Sequence, residues 1–111
     1  MEVNPIPQGF SSITPYLHVQ GLPHLMGFLT HAFGAKEISA TKLPDGMVIN
    51  ACMQIGNAVI EISEVHGGFY PMPCAIHLYV ADVDAVYAQA VEVGAEPVME
   101  PTNQFYGDRE A

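Results

Sequence analysis

The sequence predicts an α+β domain in which two similar modules place their helices outside a curved sheet. Three observations lead there. Strand-like alternation recurs in short runs along the chain, two apolar stripes at helical spacing each end at a Gly-Ala pair, and the halves superpose. Laid over each other, "YLHVQGLPHLMGFLTHAFGA" and "HLYVADVDAVYAQAVEVGA" both read strand, turn, helix, Gly-Ala. Tyr16 then falls on His77, 61 positions later, with Leu17 on Leu78, Val19 on Val80, Leu22 on Val83 and Leu25 on Val86.

In chain order, "SITPYLHVQG" alternates as a strand. In "LPHLMGFLTHAFGA", Pro23 suits a first helical turn, Leu22, Leu25, Met26 and Leu29 make a stripe, and Gly34 is a stop. "KEISATKL" is a weaker strand and Pro44–Gly46 a turn. "MVINACMQIG" and "NAVIEISEV" form a hairpin across Gly56–Asn57. The cycle restarts with "AIHLYVAD" as a strand. Asp82 is its helix cap, Val83, Val86, Tyr87 and Ala90 are a core stripe ending at Gly94, and "EPVMEP" is a short strand. With 111 residues the chain holds one domain (1–111), module one covering about 11–66 and module two about 73–111.

Alternation decides which side chains can meet. Ile13, Leu17 and Val19 share one face of the first strand, against Thr14, Tyr16 and His18. Ile76, Leu78 and Val80 oppose Ala75, His77 and Tyr79. Ala58, Ile60 and Ile62 oppose Val59, Glu61 and Ser63, and Asn50, Cys52 and Gln54 alternate with aliphatic neighbours. The aliphatic faces belong under the helices. On these four strands the other face carries no Lys or Arg, unlike an ordinary solvated sheet, so curvature gathers it into a cup.

Charge narrows the function. Twelve Asp and Glu stand against 3 Lys and Arg, a net of −9. A phosphate-binding face would have to come from Lys36, Lys42 and Arg109 alone, so nucleic acid is not an expected partner. No apolar run approaches the roughly 20 residues of a membrane span. "MEVNPIPQGF" has no signal-peptide pattern, and a cytoplasmic protein is expected. Cys52 and Cys74 form no CxxC pair and read as free thiols.

These segments resemble the vicinal oxygen chelate superfamily, which includes glyoxalase I, bleomycin-resistance proteins and extradiol dioxygenases. "ITPYLHV", "AVIEISE", "AIHLYVADVDAVYAQAVEVGA" and "QFYGDR" carry the likeness, from Ile13 to Arg109. The resemblance implies paired βαβββ modules and homodimerisation. It also implies two further strands after "YGDR", so module two is expected to be incomplete. In metal-dependent members, ligands come from the first, fourth, fifth and last strands. Those positions fall here on Thr14, Glu61 and Ala75, with the fourth beyond Ala111. Thr14 and Ala75 cannot stand in for histidine. His18 and His77 lie four and two residues further along, roughly 13 and 7 Å at about 3.3 Å per residue. His18, Glu61 and His77 would suit a divalent metal chemically, but the register disfavours it, and the cofactor is left open.

The expected ligand-binding residues are therefore Tyr16, His18, Cys52, Gln54, Glu61, His77, Tyr79, Phe105, Tyr106 and Arg109, with Glu61 the candidate catalytic group. Arg109 is the cation placed for an anion. His24 and His31 read as solvent-facing, and His66 lies in a Gly- and Pro-containing loop that could close as a flap. The preferred function is small-molecule binding in the cup without a full metal site. A metal-dependent lyase, isomerase or dioxygenase is the first alternative, and a dimerising module without activity is the second.

Overall fold

A computed structural model of the chain describes residues 3–68 and 70–111. Phe69, in the loop expected as a flap, lies outside the described residues. The element order is β1 (Tyr16–Val19), α1 (Leu22–Phe33), β2 (Lys36–Lys42), β3 (Val48–Ile55), β4 (Ala58–Glu64), α2 (Val83–Glu92), β5 (Thr102–Asn103) and β6 (Arg109–Glu110).

The first module is complete. Its four strands lie in the order β1-β4-β3-β2, with β1 parallel to β4 and the other pairs antiparallel. A parallel pair needs a crossover, and α1, β2 and β3 together supply it. Turn chemistry follows the residues. Leu43 and Met47 close the β2–β3 connection, with the Met47 N–H donating to Asp45 Oδ1 at 2.9 Å. Gly56 takes φ +58° in the β3–β4 hairpin, a left-handed conformation that favours glycine.

Apolar alternation builds the core as expected. Leu22, Leu29, Ala35, Met53, Ile60 and Ile62 form one buried cluster, with Leu17, Val19, Leu25, Met26 and Phe28 packed against it. Helix α1 thus covers one face of the sheet through its stripe, and the opposite face carries the polar set.

The start of α1 holds a long-range contact. Its N-cap is Gly21, at φ +91°, which offers no side chain to the orphan N–H groups. Glu64 at the end of β4 does so instead: the Gly21 N–H donates to Oε2 at 2.8 Å and the Leu22 N–H to Oε1 at 3.2 Å. A carboxylate at a helix N-terminus also opposes the positive end of the helix dipole. Glu64→Ala should lower stability by about 1 kcal/mol, as loss of a cap does, and Glu64→Gln should lower it less. Urea denaturation with an unchanged m-value reads this out.

The second module departs from the expected strands. Residues 75–80 join no ladder among the described residues, and neither does 96–101. Alternation in "AIHLYVAD" is real, but a strand is defined by ladder hydrogen bonds, and this segment forms none among the described residues. The short strand expected at "EPVMEP" appears instead as β5, just beyond it, paired with β6 through a turn at Gln104–Asp108. Helix α2 forms as expected, with Asp82 Oδ1 accepting from the Ala85 N–H at 3.0 Å. It packs beside α1, where Gln89 Nε2 donates to the His31 carbonyl. The result is an α+β domain with a four-stranded sheet, a separate two-stranded pair, and α2 packed beside α1.

Candidate functional site

Strand register assembles the polar face row by row. Tyr16 on β1 lies opposite Glu61 on β4, and Glu61 opposite Cys52 on β3. The next row is His18, Ser63 and Asn50. Directly opposed residues share a face, so Tyr16, His18, Cys52 and Glu61 are brought together as expected from alternation. Gln54 continues the face beside Val59. The edge is not free of cations, however. Lys36 on β2 pairs with Gln54 and Lys42 with Val48, so β2 carries positive charge to the rim.

Within this face the rings of Tyr16 and His18 stack, with centroids 4.6 Å apart and planes inclined by 28°. Asn50 Nδ2 donates to Tyr16 Oη at 3.5 Å, and Ser63 Oγ donates to the Ile49 carbonyl at 3.3 Å. The chain before β1 forms a wall. A cavity of about 310 Å³ lies between Pro5–Pro7, Phe10, Ser11, Thr14, Tyr16 and Glu61. That volume is at the lower end for small-molecule pockets. Sequence reading missed this wall and the role of Asn50. Pro5, Pro7 and half-buried Phe10, close before a strand, were the available signal.

The remaining expected residues sit elsewhere. His77 and Tyr79 stack on each other, centroids 4.7 Å apart and planes at 24°, repeating the Tyr16–His18 pair in reversed order 61 residues later. Tyr79 is 81% exposed and lies on the segment that joins no sheet. Phe105 projects from the β5–β6 turn at 99% exposure. Tyr106 Oη donates to Glu110 Oε1 at 2.6 Å, and that hydrogen bond pushes the phenol up to about 12.

Arg109 is engaged away from the sheet face. Its Nε and Nη2 donate to the two oxygens of Asp84 on α2, both at 2.8 Å, and Nη1 donates to Asn103 Oδ1 at 3.0 Å. The fork geometry that suits arginine to a ligand carboxylate is here spent on Asp84. The hydrogen bond with Arg109 holds the Asp84 carboxyl below its ordinary range. A depressed carboxylate contributes stability that is present above the unfolded pKa and is lost as pH falls through the folded one. In an NMR titration, Asp84 should therefore protonate below the usual aspartate range, and Arg109→Gln should return it to the ordinary value.

The donor set does not suit a divalent metal. His18 and Glu61 share the face, but their immediate neighbours there are Tyr16, Cys52, Asn50 and Ser63. Among the described residues no group of three or more His, Cys, Asp or Glu side chains could hold a metal ion. A protein-held metal needs about three such ligands. No helix is long and apolar enough to cross a membrane, among the described residues.

No protein-family model matches the chain. Among curated proteins it is 30% identical over 109 residues to an uncharacterized protein, Mb0911c, of Mycobacterium bovis, covering 88% of this chain and 72% of that one. It matches the uncharacterized protein Rv0887c of Mycobacterium tuberculosis at the same identity, spanning 64% of its length. Among solved structures, TioX from Micromonospora sp. ML1 superposes with a TM-score of 0.67 at 20% identity, over 89% of this chain and 82% of that one. A glyoxalase-related enzyme from Clostridium phytofermentans superposes at 0.65 and 12% identity, over 93% and 86%. Hypothetical protein SA1046 of S. aureus does so at 0.61 and 25%, over 86% and 79%. The chain belongs to the same family as the uncharacterized mycobacterial protein Mb0911c and has the glyoxalase-like fold.

Proposed function

We propose that the polar sheet face binds a small, planar organic molecule carrying positive charge, without a full metal site. The observation that carries this reading is the Tyr16–His18 stack, whose Tyr16 lies opposite Glu61 and lines with it the 310 Å³ cavity. Aromatic faces hold a flat ring by offset stacking and attract a cation through their quadrupole. Glu61 supplies the neutralising charge, and Asn50 fixes the tyrosine hydroxyl. The glyoxalase-like fold supports a ligand on this side of the sheet, since the helices occupy the other.

The protein is further proposed to act in the cytoplasm as a homodimer, an arrangement supported by large exposed side chains such as Tyr79 and Phe105. Fluorescence titration with N-methylacridinium tests the binding reading. Saturable one-to-one binding that weakens in Glu61→Gln is expected. Absence of saturation, or an affinity indifferent to Glu61, would sink it.

A further inference from the structure

We propose that the cavity beside Tyr16 and Glu61 selects planar cations that carry N–H donors on their edges, as amidinium and amino-substituted pyridinium ions do, over quaternary cations of similar shape. This selection rests on the cation-binding reading above and names the donor chemistry that reading leaves open.

The lining decides what a ligand must bring. Five side chains present polar atoms there, those of Ser11, Ser12, Thr14, Tyr16 and Glu61, and every one of those atoms is oxygen. Pro5, Ile6, Pro7 and Phe10 complete the lining and are apolar. No side-chain nitrogen lines this cavity among the described residues, so it offers hydroxyls and a carboxylate but no cationic or amide donor.

Much of the acceptor capacity is uncommitted. Among the described residues the side chains of Ser12, Thr14 and Glu61 make no hydrogen bond or ion pair. Ser11 Oγ donates to the Ile13 carbonyl at 2.9 Å and keeps its lone pairs. The backbone holds the set together. The Glu61 N–H donates to the Pro15 carbonyl at 2.9 Å, which ties the segment bearing Thr14 and Tyr16 alongside the carboxylate.

Charge and donors are then needed in one molecule. Glu61 is half-buried, and the chain's two lysines, Lys36 and Lys42, lie on β2, with β3 between that strand and β4. The ligand is left to neutralise the carboxylate, and a charge-assisted N–H···O bond does so in its strongest form. A quaternary nitrogen brings the charge, but it displaces water from the oxygens without giving them a donor, which costs free energy. A neutral polyol brings donors without the charge.

Fluorescence titration of the whole chain with 9-aminoacridinium and N-methylacridinium tests the selection. Both are flat monocations on the same three-ring frame at neutral pH, and only the first carries N–H donors. 9-Aminoacridinium should bind about tenfold more tightly, as one charge-assisted hydrogen bond implies. Thr14→Val, which removes the hydroxyl and nearly keeps the shape, should reduce that preference to about threefold, and Ser12→Ala should reduce it in the same direction. Equal affinities, with both cations still weakened in Glu61→Gln, would overturn the donor selection and leave the cation site standing. A preference that survives in Glu61→Gln and in the Ser12→Ala, Thr14→Val double variant alike would also overturn it, because it would arise from the probes and not from these oxygens. Failure of both cations to saturate would remove the cation site, and the selection with it.

Discussion

Ile62→Ala should destabilise the protein by about 3–4 kcal/mol, the largest single-site loss of stability expected in this chain. Ile62 is fully buried, with 0% exposure, and belongs to the cluster of Leu22, Met53 and Ile60 where α1 meets the sheet. It sits on β4, which is paired on both sides, by β1 and by β3. Backbone held from two directions cannot collapse into the space left by the missing carbons, so the cavity term adds to the lost transfer energy. Small domains have only about 5–15 kcal/mol of net stability, so such a loss removes a large fraction of it. Ile76→Ala is the matched control. Ile76 is 52% exposed on the unpaired segment, and its truncation should cost under about 1 kcal/mol. Urea midpoints for the two variants, at unchanged m-value, give the comparison directly. Equal losses would mean that residues 75–80 are packed as tightly as β4, and the asymmetry between modules would be wrong.

That asymmetry marks the limit of what the sequence makes legible. Periodicity, caps and turn residues located α1, α2 and the β3–β4 hairpin, because each is settled by neighbours within a few residues. Strand faces were legible for the same reason: period two placed Tyr16, His18, Cys52 and Glu61 on one side, and the register set Tyr16 against Glu61. A strand in 75–80 was not decidable locally. His77, Leu78 and Tyr79 alternate as well as Tyr16, Leu17 and His18 do, but β1 pairs with β4 whereas residues 77–79 pair with no strand among the described residues. The partner of Arg109 was not legible either. Sequence showed a cation near two aromatics, while its partner Asp84 lies 25 positions away on another element. The Glu64 cap of α1 spans 43 positions to Gly21 and has no local signal at all.

Glu61→Gln should weaken binding of N-methylacridinium by tenfold to about a hundredfold, and Tyr16→Ala by about fivefold to thirtyfold. The first figure follows from a charge-assisted contact, about 1.5–3 kcal/mol. The second follows from a ring face over a cation, about 1–2 kcal/mol where water is partly excluded. The two residues are directly opposed across β1 and β4, so their effects should not add. The double variant should bind only slightly worse than Glu61→Gln, because removing the carboxylate also removes what holds the cation over the ring. Naphthalene-2-sulfonate, flat but anionic, should bind weakly to the native protein and better to Glu61→Gln. Cation and anion responding in opposite directions would separate a charge-selective site from simple hydrophobic adsorption, which would move both together. Chelator treatment should leave the acridinium affinity unchanged. A loss of affinity restored by Zn²⁺ or Ni²⁺ would mean that a metal, and not the Tyr16–His18 stack with Glu61, organises this face.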